Sequence, residues 1–523
     1  MAVATVACRA QQGLHAPLVQ VEVSLASGLP AFSIVGLPAT VIKESKERVR
    51  AALINSGFNF PAGRITVSLA PAELPKEGGR FDLPIALGIL LASGQVHART
   101  AARASSHEFY GELGLTGELK PVRGLLLAAA RARGENRELI VPRGNAAEAC
   151  AVAPDQVRAA AHLLEVCAHL SGAAPLPPGG ARANAAVFQA STAAPGLDLA
   201  DVRGQWLAKR ALIVAAAGGH SLLFIGPPGS GKSMLAQRLP GLLPPLTEEE
   251  ALEVAAIAAV SAGGLALEHY GRRPFRAPHH SSSMAALVGG GARARPGEVS
   301  LAHHGVLFLD ELPEFARSAL EALREPLERG SVAVSRAALQ NHYPAAFQLI
   351  AAMNPCPCGR LGDPAADCRC TPAQVRGYRG RISGPLLDRL DMQVEFSPLT
   401  ARDFAASESM PGETTAAAAT RIVRARRLQL VRQGTCNARL SDADVPRWCR
   451  TDTATQQLLA EAMRRFGLSG RARQRVLKLA RTIADLAAAP TIGAGHLTEA
   501  LSLRCLDRRG ATAPAAPCDR PPA

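Results

Sequence analysis

The chain has 523 residues, enough for more than one domain at roughly 100–200 residues each. Its 48% hydrophobic content allows sizeable cores and excludes wholesale disorder, while aromatics at only 4% leave Ala, Leu and Val to fill the interior. Lys+Arg at 58 against Asp+Glu at 44 gives a net charge of +14, a weak pointer towards a polyanionic partner, and residues 401–523 carry 20 of the basic and 11 of the acidic groups.

The opening MAVATVACRAQQG lacks a basic start followed by an apolar core. The apolar runs at 83–94 and 211–225 are too short to span a bilayer and contain turn residues. Eleven cysteines in a large chain without an export signal do not suggest a disulfide framework. A cytoplasmic protein with no membrane association is expected.

Residues 1–170 mix strand-like runs (19–25, 65–69) with helical stretches (41–56, 83–93) and read as one α/β domain. The Pro/Gly/Ala-rich stretch SGAAPLPPGGARANAA marks a linker over 171–196. From 197 to 400 apolar strands alternate with helices, which predicts a parallel α/β sheet. Residues 401–509 are helical and Arg-rich, and 510–523 read as a disordered tail.

Within the third region, Gly226-Pro227-Pro228-Gly229-Ser230-Gly231-Lys232-Ser233 fits G-x-x-x-x-G-K-[ST] between an apolar strand and a helix. The glycines let backbone N–H groups turn inward around phosphate oxygens. Lys232 has the reach for the β- and γ-phosphates of ATP, and the Ser233 hydroxyl suits Mg²⁺. The run Val306-Leu-Phe-Leu-Asp310-Glu311 predicts a buried parallel strand with two acids at its C-terminal edge. Asp310 would hold Mg²⁺ through water and Glu311 would act as general base on the attacking water. A third strand over 347–353 ends in Asn354, whose amide suits orientation of that water; a turn residue at the strand end is the alternative. The segment RISGPLLDRLD offers Arg381 and Arg389 for a neighbouring subunit's γ-phosphate, against solvated surface arginines.

Cys356, Cys358, Cys368 and Cys370 form two C-x-C pairs on a turn-rich loop that suits tetrahedral Zn²⁺; four reduced loop thiols are the alternative. The pairs His279-His280 and His303-His304 are poor chelators, because adjacent side chains diverge, and hydrogen-bonding roles are expected of them.

These elements in this order resemble the AAA+ ATPases. The blocks DVRGQWLAKRALIVAAAGGH, FRAPHHSSS, GEVSLAHHGVLFLDELPEF, AAMNPCPCG, ISGPLLDRLD and RARQRVLKLARTIADL resemble the ComM/YifB family, a magnesium-chelatase-like AAA+ group, over nearly the whole chain. The resemblance implies an AAA+ P-loop core with a helix-2 insertion and a C-terminal helical lid. It makes Asn354 sensor 1, Arg389 the trans-acting arginine finger with Arg381 a lesser candidate, and Arg471 sensor 2 with Arg475 the alternative. It implies a presensor-1 hairpin over 331–347 that carries Arg336 towards a ring channel. It also implies a homo-hexamer using ATP and Mg²⁺ to migrate branched or single-stranded DNA during natural transformation.

The N-terminal domain resembles the proteolytic domain of Lon proteases. KEGGRFDLP (76–84) corresponds to the serine loop and GELKPVRGLLL (117–127) to the lysine helix. Arg80 or Phe81 stands at the serine position and Leu126 at the lysine position, so the hydroxyl–amine pair of a peptidase is missing. A magnesium-chelatase-type subunit and an ATP-dependent regulatory scaffold are the competing functions. The Lon-like domain and cysteine loop weigh against the first; intact Lys232, Asp310 and Glu311 weigh against the second.

Overall fold

The computed structural model describes residues 2–36, 40–74, 76, 78–96, 98–179, 197–291, 294–336, 339–362, 367–396 and 412–510. Most of the expected linker (180–196), residues 401–411 of the expected lid and the tail from 511 lie outside the described residues. The chain divides into two compact units, residues 1–192 with 248–272, and residues 193–247 with 273–523.

In the first unit a seven-stranded mixed sheet runs in the order β3-β4-β2-β1-β5-β6-β7. The strands are β1 Ala2–Arg9, β2 Leu18–Ala26, β3 Ala31–Val35, β4 Arg64–Ala70, β5 His107–Phe109, β6 Glu138–Pro142 and β7 Val157–Ala160. Alternation decides the inward face of β2, where Val19, Val21 and Val23 are buried between part-exposed neighbours. The helix Asp82–Ala92 is apolar on nearly every face and, apart from Leu91, buried against this sheet. Gly88 in it meets Val23 so closely that a Cβ would stand 2.4 Å from a valine methyl. The helix Glu248–Val260, expected within the 197–400 region, belongs to this unit. Its Ala256 packs with Ala16 and Leu127, and Glu248 pairs with Arg133 at 2.6 Å.

In the second unit five parallel strands form the order β9-β10-β13-β8-β14. They are β8 Leu222–Ile225, β9 Phe275–Arg276, β10 Val306–Leu309, β13 Gln348–Met353 and β14 Met392–Glu395. Between β10 and β13 the chain makes an antiparallel hairpin, β11 Ser331–Arg336 and β12 Leu339–Pro344; the Arg336 side chain lies outside the described residues. Strands β8, β10 and β13 are buried along their whole length, which explains their near-continuous apolar sequence. β8 lies between β13 and β14, with Ile225 level with Met353 and Glu395. The residues following β8, β10 and β13 therefore emerge at one edge of the sheet, where open parallel sheets bind ligands.

Residues beyond 412 are built mainly of helices, including Thr415–Gln433, Thr453–Phe466, Gly470–Leu486 and Ala494–Ser502. Ala418, Ile422, Val476, Leu479, Ile483 and Leu497 share one core with Phe224 and Ile350 of the sheet. No described helix is long and apolar enough to cross a membrane.

Candidate nucleotide site and a second basic pocket

The loop after β8 is shaped by its glycines. Gly229 and Gly231 have φ of +73° and +91°, values that a side chain resists. Lys232 opens the next helix (Lys232–Ala236) and folds back into the loop, its Nζ donating to the carbonyls of Gly226 and Pro227, both at 2.8 Å. Burial lowers the Lys232 pKa, opposed by the charges of Asp310 and Glu311. The Ser230 Oγ is buried and has no hydrogen-bond partner among the described residues. A cradle of inward-facing loop, an ammonium and an unused hydroxyl fits the polyphosphate of a nucleotide.

Ser233 Oγ donates to Asp310 Oδ2 at 2.6 Å, so the two expected Mg²⁺ ligands already touch. An oxygen-only pair of this kind suits a hard divalent cation. Asn354 stands past the end of β13 with Oδ1 3.4 Å from Lys232 Nζ. Glu311 adopts φ +53°, a left-handed backbone for a non-glycine residue, and its N–H donates to Asp310 Oδ1 at 2.9 Å. Its carboxylate is half exposed, with Oε2 3.0 Å from His280 Nδ1. The hydrogen-bonding role expected of His280 has Glu311 as its partner; the rings of His279 and His280 lie 4.1 Å apart.

Arg389, Arg471 and Arg475 are not at this edge. Together with Lys478, Gln474, Glu328, Asp388 and Asp442 they line a separate polar cavity of about 250 Å³. Arg475 Nε is 3.4 Å from Asp391 Oδ1, and Asp391 Oδ2 accepts from the Ser221 backbone N–H at 3.1 Å. Ser221 precedes β8 whereas Gly226 follows it, so the cavity is anchored at the opposite sheet edge, about 16 Å away along the strand. Ser469 caps the helix Gly470–Leu486, and the spacing of Arg471, Arg475, Lys478 and Thr482 brings them to one face. His220 Nδ1 lies 3.3 Å from Asp391 Oδ2, and its Nε2 2.8 Å from Thr482 Oγ1. Burial works against the Asp391 charge, but the contacts from His220, Arg475 and Ser221 prevail and lower its pKa. Burial lowers the Arg475 pKa. Arg389 pairs with Glu328 and donates to Pro385 O at 2.6 Å. Its buried Nε, like Nη1 of Arg475, has no hydrogen-bond partner among the described residues. Arg381, the lesser candidate, pairs instead with Glu314 at 2.7 Å on the surface.

The four cysteine sulfurs converge within 4.8 Å of one another. In the first unit Phe81 and Leu126 are buried, and Arg80 donates to the Arg123 carbonyl at 2.6 Å. Neither a hydroxyl nor an amine occupies the expected peptidase positions. Lys76, at the start of the segment 76–84, is buried and donates to the carbonyls of Gly36 and Pro71.

The magnesium chelatase, subunit ChlI, family matches residues 198–404; the related ChlI families match 21–145 and, for the ChlI C-terminal part, 412–504. The chain is 47% identical to the competence protein ComM of Haemophilus influenzae over 511 residues, 97% of this chain and 98% of that protein. It belongs to the ComM/YifB family. YifB of Salmonella typhimurium is likewise 47% identical over 508 residues, covering 97% and 98% of the two chains. The magnesium-chelatase 67 kDa subunit of Chlorobaculum parvum is 29% identical over 203 residues, only 38% of this chain and 26% of that protein. The ComM/YifB proteins thus share both units with this chain, while similarity to that chelatase subunit is confined to a part.

Proposed function

We propose that this ComM/YifB protein is an ATP-hydrolysing ring motor that acts on branched or single-stranded DNA, promoting branch migration while incoming DNA is integrated in natural transformation. The single observation that carries the motor reading is the meeting of Lys232, Ser233, Asp310, Glu311 and Asn354 at one sheet edge. Gly226 to Ser233 cradle the phosphates, Ser233 and Asp310 hold Mg²⁺, and Glu311 takes the proton of a water aligned by Asn354. The metal supplies charge neutralisation at the phosphates. Arg389, Arg471 and Arg475 are too far from this chain's own phosphate loop to serve it. The unpartnered Nε of Arg389 and Nη1 of Arg475 suit the γ-phosphate of a neighbouring subunit, so hydrolysis would require a closed ring, which we read as a homo-hexamer.

The DNA assignment is supported by full-length similarity to a protein named for competence and by the +14 net charge. The first unit would be a Lon-like scaffold without peptidase chemistry. ATP turnover is to be measured with and without forked and single-stranded DNA, followed by a three- or four-strand branch-migration assay. Stimulation and strand movement are expected. Absence of DNA binding at low salt would sink the reading.

A further inference from the structure

The loop that leaves β13 carries four thiols close to the phosphate loop. Sulfur separations are 3.4 Å for Cys356–Cys358, 3.6 Å for Cys356–Cys368 and 3.6 Å for Cys358–Cys368. Cys370 completes the set. A Zn²⁺ bound to four thiolates at about 2.3 Å requires sulfurs about 3.8 Å apart, so the first three need only a few tenths of an ångström of expansion, and the fourth lies within 4.8 Å of each of them. The separations are far too long for disulfides, and all four cysteines are free. Cys356 is fully buried, while Gly359 is followed by exposed Arg360, Leu361 and Gly362. Apolar burial does not hold this turn, which is the circumstance in which a structural metal supplies the folding energy.

The turn also rests on the nucleotide loop. Gly359 has φ +78°, and a Cβ built on it would lie 2.7 Å from Pro228 Cδ and 2.9 Å from Pro228 Cγ. No methyl fits between them. Asn354 is on the same side, its Cγ 3.8 Å from that position. From the other flank, Arg379 donates twice to the Pro355 carbonyl, at 3.1 and 2.9 Å. Pro355 joins Asn354 to the first cysteine. One short segment therefore links the proposed water-orienting amide, the thiol cage and the phosphate loop.

We infer that Cys356, Cys358, Cys368 and Cys370 bind one structural Zn²⁺, and that the metal braces the phosphate loop through the contact of Gly359 with Pro228, making nucleotide affinity depend on metal occupancy. This rests on the reading of Gly226 to Ser233 as the ATP site, and deepens it. Without the metal the cysteine turn loses its fixed shape, and the support behind Pro228 goes with it.

Elemental analysis of full-length protein purified without chelators is expected to give one Zn²⁺ per chain, lost in a Cys356→Ser/Cys358→Ser variant. Binding of a fluorescent ATP analogue should weaken at least about tenfold after chelation and recover on adding Zn²⁺. Gly359→Ala provides the second arm: it should retain zinc and overall fold by circular dichroism, yet bind the analogue more weakly. A protein that neither contains nor takes up Zn²⁺ would overturn the metal site. Unchanged nucleotide affinity in both stripped protein and Gly359→Ala would overturn the brace. Zinc-loaded protein with no affinity for the analogue would overturn the ATP reading, and the brace with it, while leaving the metal site standing.

Discussion

His280 Nδ1 lies 3.0 Å from Glu311 Oε2, so the carboxylate proposed as general base is engaged by an imidazole from the loop after β9. Glu311 takes its left-handed backbone at the same place. A base held by a neighbour is a base not yet free to take a proton from water.

Glu311→Gln is expected to bind ATP and assemble normally while kcat falls by about 10²- to 10⁴-fold, the usual contribution of a positioned base. His280→Ala should do the opposite to resting activity. Both partners are substantially exposed, so their attraction is worth under about 1 kcal/mol and its removal should raise DNA-free turnover by no more than about fivefold. Steady-state hydrolysis of both variants checks this. Normal turnover by Glu311→Gln would refute its role as base.

The candidate phosphate site was legible in the sequence because phosphate chemistry constrains its spelling. Gly229, Gly231, Lys232 and Ser233 must occupy set positions along one turn, and an apolar strand must precede them. Asp310 and Glu311 could be named because an apolar strand ending in acids, a weak signal alone, follows the phosphate-loop motif in the same region. The second pocket was not. Asp391 meets His220 across 171 residues and Ser221 across 170, pairings that no local spacing encodes. The arginines there could be named, but sequence alone gave no sign that they stand at the far sheet edge. Segment 248–272 escaped for a different reason. Its helix carries alanines around much of its surface and so does not say which neighbour it packs on.

Asp391 ties together the second pocket. It receives His220, Ser221 and Arg475, and its pKa is held below the ordinary carboxylate range. Asp391→Asn keeps the shape and removes the carboxylate that pairs with Arg475. We expect a loss of about 2–4 kcal/mol of folding stability at neutral pH, measured by urea unfolding. The sign in pH follows from the depressed value. Its contribution is complete above the unfolded carboxylate pKa and disappears as pH falls through the lower folded one, so the gap between wild type and variant should close on acidification.

DNA binding driven by phosphate contacts should be strongly salt-dependent and indifferent to sequence. If six or more phosphates are gripped, affinity for single strands is expected to fall by at least about 300-fold between 50 and 200 mM salt, with little difference between mixed and homopolymeric strands. Fluorescence anisotropy titrations at several salt concentrations provide the measurement. A nearly flat salt dependence would leave the net charge of +14 without a part in binding.

The separation of the two basic groups leads to the sharpest test of ring assembly. Lys232 stands at one edge of the sheet, where we propose the nucleotide binds, whereas Arg389 lines a cavity anchored at the other. Arg389→Ala should therefore leave ATP binding intact and reduce kcat by about 10³- to 10⁵-fold, as expected when an arginine finger is removed. Glu311→Gln should also turn over very slowly, but through its own site. When the two inactive proteins are mixed and allowed to exchange subunits, some interfaces will combine the intact Glu311 of one chain with the intact Arg389 of the next. Hydrolysis should then reappear, in proportion to the fraction of such interfaces. If Arg389 served its own chain's nucleotide, every site in the mixture would still lack one group and no activity would return.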